Sequence, residues 1–227
     1  MTIFRQKGAR TKRLLEYLRR RAKGKPEKRP AMDCKSFPTL FRKRAVVFTD
    51  TADFTMRTAQ DGILHFLMVF ESVAQEAAKV VRKTGGDLVK VEGDSLLIRY
   101  DDINVACRGV VELESAVQRL NRGRPDNEQL HFSYGIGYGD VLDLDEDMFG
   151  LEVNLASKLG EDLAEPGEAL LTPAAAAAVD AATLKRLVPY SVITFGTQSV
   201  PVQRLKLRTG VRKGKVPTRK RITPQGE

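Results

Sequence analysis

Asp50 and Asp94 are the residues whose type and placement most suggest chemistry. Asp50 closes the apolar run "AVVFT" (45–49), and Asp94 follows the tight "EGD" turn and opens the apolar run "SLLI" (95–98). Carboxylates at the ends of two neighbouring strands offer oxygen ligands to hard divalent cations, and magnesium held this way keeps waters and takes phosphate oxygens as further ligands. Each aspartate taken singly also suits an ordinary strand-end or turn position. Lys90 stands four residues before Asp94, at the tip of the same otherwise apolar segment "LVKVEGDSLLIRY" (88–100). Asp50 leads into "DTADFT", a strand-to-helix loop whose backbone N–H groups and helix dipole suit a phosphate. A third group lies in "DMFGLEVNLASKLGED" (147–162). Asn154 and Lys158 are i and i+4 and share a helix face. An amide beside an ammonium suits ribose and phosphate oxygens; a solvated face, with Lys158 paired to Glu161 or Asp162, fits equally. No GxxxxGK[ST] loop occurs, and Gly135, Gly137 and Gly139 lack the spacing of a dinucleotide fingerprint.

The elements that must position these groups follow from pattern and punctuation. The run 45–49 reads as a buried strand. A helix follows the loop and continues to Gly85-Gly86. Its 63–70 stretch is apolar on nearly every face, so burial on two sides is expected, against the sheet and against a second subunit. Strands near 87–91 and 95–100 form a hairpin, a second helix spans about 102–121, and 130–142 reads as a strand. The alternate glycines of that strand strip side chains from one face, so something is expected to approach it closely. A helix over 151–163, a short strand at 168–172, the Ala-rich helix 173–180 and a final hairpin complete the body. The order β-α-β-β-α-β predicts an α+β fold: a ferredoxin-like split βαβ core with extra C-terminal helices and a hairpin.

Composition bounds the rest. The chain has 227 residues, 42% hydrophobic and 30% charged, enough for one domain with its own core. Its net +9 hides an uneven distribution. Residues 1–30 hold 12 Lys/Arg against 2 acids and residues 204–227 hold 9 against 1, while residues 31–203 carry net −9. Basic ends of this kind suit anionic lipid or a regulator, or are merely solvated. They lack the interleaved aromatics of a stacking platform, so no firm nucleic-acid or membrane partner is assigned. "TKRLLEYLRRRAK" (11–23) reads as a basic helix with a short apolar stripe. No apolar run reaches the ~20 residues of a membrane span, and the N-terminus has no signal-peptide core, so a cytoplasmic location is expected. Cys34 and Cys107 form neither a disulfide framework nor a metal-ligand spacing.

With these residues in place, the sequence resembles the catalytic domain of class III nucleotidyl cyclases, the adenylyl and guanylyl cyclases. "FTDTADFT" resembles the family's phosphate loop, which implies a first metal aspartate at Asp50 and phosphate contacts from Thr51, Ala52, Asp53, Phe54 and Thr55. "KVEGDSLL" resembles its hairpin, with an adenylyl-type base-recognition lysine at Lys90 and the second metal aspartate at Asp94. "DMFGLEVNLAS" resembles the segment bearing the second base-recognition residue, Asp147, and the transition-state asparagine, Asn154. The resemblance covers about residues 44–207. It implies a domain over 41–207, between a partly helical basic extension (1–40) and a basic tail (208–227). It further implies a homodimer with sites shared between subunits, two Mg²⁺ or Mn²⁺ per site, and adenylate cyclase activity: ATP converted to cyclic AMP and pyrophosphate.

Three positions depart from the family pattern. Lys158 stands where the family usually has an arginine, keeping the charge but losing the planar fork. Phe195 precedes Gly196 where a Lys-Gly step usually meets the triphosphate; Arg204 or Lys206 would be substitutes. Asp53 stands where the phosphate loop often has a small residue. These departures leave open a degenerate domain that binds nucleotide or a partner with little turnover. Glu92, in the same turn as Lys90, leaves open another base: GTP or a pyrimidine nucleotide.

Overall fold

The computed structural model describes residues 8–195 and 198–207. Two helices, α1 (Ala9–Lys23) and α2 (Arg29–Leu40), precede the sheet. The sheet then builds from β1 (Phe41–Thr51), β2 (Asp87–Glu92), β3 (Ser95–Tyr100), β4 (Phe132–Asp143), β5 (Met148–Phe149), β6 (Ala169–Leu171), β7 (Leu187–Phe195) and β8 (Gln198–Leu205). Helices α3 (Phe54–Asp61), α4 (Ile63–Lys83), α5 (Ile103–Asn121), α6 (Leu151–Lys158), α7 (Pro173–Ala178) and α8 (Ala181–Leu184) connect them. The strands run in the order β2-β3-β1-β4-β6-β8-β7, with β5 paired to β4. The central strand β1 is antiparallel to both β3 and β4, and β4–β6 is parallel. This is the predicted ferredoxin-like core, widened at one edge by the last hairpin.

Alternation along β1 separates two cores. Ala45 and Val47 face α4 and α5 and join Leu96, Ile98, Phe132, Tyr134 and Ile136 in the main core. Val46 and Phe48 face the other way and meet Leu97, Val141, Met148, Val153 and Ala156 beneath α6. Side chains buried this fully contribute about 1.5–3 kcal/mol each, so both faces of the sheet's middle carry stability. Asp102 starts α5 as an N-cap, its carboxylate accepting from the amides of Asn104 (2.8 Å) and Val105 (2.9 Å).

Two expectations are corrected, the loop after Asp50 and the helix over 151–163. The "DTADFT" loop is short, because α3 begins at Phe54, and Gly62, at φ +85°, separates α3 from α4. Within one chain the 63–70 stretch is buried on one side: Phe66, Val69 and Phe70 enter the core, while Ile63, Leu67 and Met68 are exposed and Leu64 is 80% exposed, on the side where a second subunit is expected. The 151–163 helix divides, with α6 ending at Lys158 and a π-type turn over Leu159–Leu163. Among the described residues no helix is long and apolar enough to cross a membrane. Burial pushes the Cys107 thiol up to about 12, which leaves it neutral and unreactive, while Cys34 is exposed.

Candidate active site

The antiparallel register brings the two candidate metal aspartates together. Thr49 pairs with Leu96 across β1 and β3, so Asp50 and Asp94 fall at the same end of adjacent strands. Two threonines lock this end. The Leu96 amide donates to Thr49 Oγ1 at 3.0 Å, and Thr51 Oγ1 donates to the Asp94 carbonyl at 2.7 Å. The intervening turn depends on Gly93, whose φ of +60° favours a residue without Cβ. Among the described residues no group of three or more His, Cys, Asp or Glu gathers. Two carboxylates at one end of adjacent strands nonetheless offer hard oxygen donors of a kind that phosphate oxygens and water can complete.

The loop that follows is partly committed to the protein itself. Besides the Thr51 hydroxyl, the Ala52 amide is used, donating to the His131 carbonyl at 3.0 Å. Asp53 has φ +62°, a positive value that no other non-glycine among the described residues shares. Its side chain does not cap α3. Phe54 and Thr55 open that helix, where first-turn amides lack intrahelical acceptors. His131, behind the loop, is held below its usual pKa by burial and by the nearby Arg57. Sequence reasoning did not single it out, and only its contact with the loop identifies it.

Lys90 and Asp147, far apart in sequence, meet directly. Lys90 Nζ donates to Asp147 Oδ2 at 3.0 Å and pairs with Glu92 Oε2 at 2.7 Å. Burial works to lower the lysine's pKa, but its hydrogen bonds to Glu92 and Asp147 outweigh it, and the net shift is upward. Asp147 Oδ1 also accepts from the Met148 amide at 2.8 Å, and the Leu144 amide donates to the Asp147 carbonyl at 2.9 Å. The aspartate is therefore fixed at its backbone and at both carboxylate oxygens.

The glycines of β4 explain where α6 sits. A Cβ on Gly135 would overlap the Ala156 carbonyl, and one on Gly137 would lie 2.5 Å from the Glu152 carbonyl. The expected close approach is thus α6 itself, seated backbone-on-backbone against a strand face without side chains. Glu152 fastens it, Oε2 accepting from the Tyr138 amide (3.0 Å) and from the Thr172 hydroxyl (2.6 Å). Asn154 projects from this helix and is exposed. Lys158 lies one turn on, with Nζ 2.7 Å from Asp162 Oδ2, the solvated pairing that the sequence left open. Arg204 is committed elsewhere: it pairs with Glu168 at 2.5 Å and lies over the Tyr190 ring. Lys206 follows β8 and is exposed, whereas the Phe195 side chain and Gly196 lie outside the described residues.

No family model matches the chain. It is 31% identical over 147 residues to an adenylate cyclase of Streptomyces griseus, covering 65% of this chain and 33% of that protein. It is 32% identical over 118 residues to an adenylate cyclase of Streptomyces coelicolor, covering 52% of this chain and 29% of that protein. The chain thus spans a third or less of the length of these relatives. Among solved structures, an adenylate/guanylate cyclase/hydrolase from Silicibacter pomeroyi matches with TM-score 0.61 and 24% identity, covering 74% of this chain and 99% of that one. The guanylate cyclase domain from Catenaria anguillulae in complex with GTP matches with TM-score 0.62 and 15% identity, covering 74% and 97%. Sequence relatives and shared fold agree: the chain is similar to adenylate cyclases over up to 65% of its length and has the fold of adenylyl/guanylyl cyclase catalytic domains.

Proposed function

We propose that the chain is an adenylate cyclase that works as a homodimer, each site formed by the aspartate end of one subunit and the Lys90–Asp147–Asn154 group of its twin. The observation that carries this reading is the 3.0 Å contact between Lys90 Nζ and Asp147 Oδ2. It holds a hydrogen-bond donor and an acceptor side by side in a partly buried spot. Adenine presents an acceptor and an amino donor along its Watson–Crick edge, which Lys90 and Asp147 would satisfy in that order. Guanine presents the reverse pattern and would leave both groups unpaired. Unsatisfied buried polar groups can make such rejection as large as about 10⁴-fold at well-built sites.

In the reaction the ribose 3′-oxygen attacks the α-phosphorus in line. The new O–P bond forms as the bond to the bridging oxygen breaks, pyrophosphate leaves, and the hydroxyl proton passes to solvent. Asp50 and Asp94 would hold Mg²⁺ or Mn²⁺, which when bound lowers the pKa of the attacking hydroxyl and offsets charge on the phosphates. The first amides of α3, at Phe54 and Thr55, face the developing charge with the helix dipole behind them. Asn154 orients the ribose side, and Lys158 supplies positive charge near the phosphorus. To do so, Lys158 must leave Asp162. Exposed pairs of this kind are worth about 0–1 kcal/mol, so the exchange is inexpensive.

The Lys158–Asp162 pair also supports a second reading, a domain that binds nucleotide with little turnover. One assay separates the two: the purified chain with ATP, GTP, CTP or UTP and Mn²⁺, products identified by mass. Cyclic AMP as the main product supports the first. Tight ATP binding without product supports the second, and a preference for GTP or UTP removes the base assignment.

A further inference from the structure

The loop between β4 and β5 reads "DLDED", and its alternate aspartates are held from three directions. Asp143, with a side chain 0% exposed, is gripped by Arg44 Nε at 2.9 Å and by Arg99 Nη1 at 2.7 Å. Asp147 is held by Lys90. Asp145 turns outward to the N-terminal helix. Its Oδ2 accepts from the Arg10 amide at 2.9 Å and from the Thr11 amide at 3.5 Å, so a loop carboxylate caps the start of α1. From the same turn, Arg10 Nη1 lies 2.9 Å from Asp143 Oδ2, an ion pair out of hydrogen-bond alignment. The chain closes on this loop so tightly that a Cβ at Gly8 would overlap the Asp145 carboxyl. Leu14 and Leu15 bury the same helix and keep its first turn in place. The basic N-terminal extension is therefore bolted to the loop that ends in a base-contacting candidate.

We infer that Arg10 and Asp145 are positioning residues for Asp147: docking of α1 fixes the 143–147 loop in the shape that presents Asp147 beside Lys90. The physical reason is economy of freedom. A short hairpin segment with four like charges repels itself, and its three aspartates stay in register only while each has a cationic or amide partner. Releasing Asp145 and Arg10 frees the middle of the loop and, two residues on, the carboxylate that reads the base. The part of this inference concerning base choice rests on the adenylate cyclase reading; the mechanical part does not.

The test uses the full chain and two independent readouts. The first is amide hydrogen exchange at Leu144 and Met148, whose N–H groups donate to the carbonyl and carboxylate of Asp147. Arg10→Ala and Asp145→Ala are expected to speed exchange at both amides by about tenfold or more, a shift typical of losing a local tether. Lys12→Ala, altering an exposed residue of the same helix, should leave them unchanged. Asp145→Asn, which keeps a capping oxygen, should restore protection. Arg10→Ala leaves every loop aspartate in place, so it decides the matter if Asp145→Ala fails to fold. Unchanged exchange in Arg10→Ala overturns the inference whatever the chain's activity. The second readout is the ratio of kcat/KM for ATP to that for GTP. The same variants should lower it about tenfold through KM, with kcat nearly unchanged and Asp145→Asn rescuing. A merely structural role would lower stability and kcat and leave the ratio alone, and that result would also overturn the inference. A wild-type chain inactive on every nucleotide sinks the proposed function instead and leaves the exchange result to decide the clamp.

Discussion

At the scale of single residues, two carboxyl environments make opposite demands. Asp50 and Asp94 end adjacent strands where they can meet a cation. Glu114 is buried in the main core, Oε2 accepting from the Tyr134 hydroxyl and Oε1 from the Gln118 amide, both at 2.9 Å. Asp50→Ala or Asp94→Ala is expected to lower turnover by at least about 10²-fold, the scale of losing a main electrostatic group, without changing the melting temperature much. Steady-state cyclase assays beside thermal melts check this. Lys90→Glu should shift preference away from ATP, because it replaces a donor with an acceptor; a nucleotide competition assay reads the change. For Glu114, burial raises the pKa above its ordinary 4.5. A raised carboxyl contributes stability that is complete below the unfolded value and is lost as pH rises through the folded value. Chemical denaturation from pH 4 upward should show wild-type stability declining relative to Glu114→Gln, which keeps the Tyr134 contact without titrating. Parallel curves for the two chains would contradict this account.

At the scale of elements, the decisive packing is α6 on β4. Gly135, Gly137 and Gly139 look in sequence like a place where something must come close, and the thing that comes close is the chain's own helix. Gly135→Val would push side-chain carbons into the backbone of Ala156 and Gly160. A loss of about 1–3 kcal/mol or more is expected from such overpacking. Urea unfolding measures that loss, with turnover falling as Asn154 moves. The α1–α2 hairpin has its own signature. A hydrogen bond from Arg21 and one from Tyr17 hold the Asp33 carboxyl down at about 2. A depressed carboxyl gives stability that is present above the unfolded value and lost as pH falls through the folded one. The hairpin should therefore loosen below about pH 4, with the loss complete near pH 2, and helix signals of α1 in NMR would report it.

For the whole molecule, exposed apolar groups flank the candidate site. Val91 adjoins Lys90, Phe149 lies between Asp147 and Asn154, and Leu151 is 64% exposed on the same helix as Asn154. Such residues around the Lys90–Asp147 pair suit a face covered by a second copy. If sites are shared, mixing equal amounts of Asp94→Ala and Asn154→Ala chains should restore one working site per heterodimer, about a quarter of the wild-type activity when the chains pair at random. No recovery on mixing would show that each site draws on a single chain. Leu151→Asp should shift sedimentation toward the monomer and reduce turnover in step.

What the sequence determined alone was whatever rests on local spacing. Periodicity and turn residues placed α4, α5 and the β2–β3 hairpin, and three short motifs named Asp50, Lys90, Asp94, Asp147 and Asn154. Alternating glycines announced a close approach without saying of what, because spacing carries no information about the partner. Tertiary structure decided the rest. Only strand register could bring Asp50 beside Asp94, and only the fold could join Lys90 to Asp147, Lys158 to Asp162, and Arg10 to an acidic loop more than 130 residues away. Charged side chains choose partners by through-space distance and desolvation, and neither quantity is written in chain order.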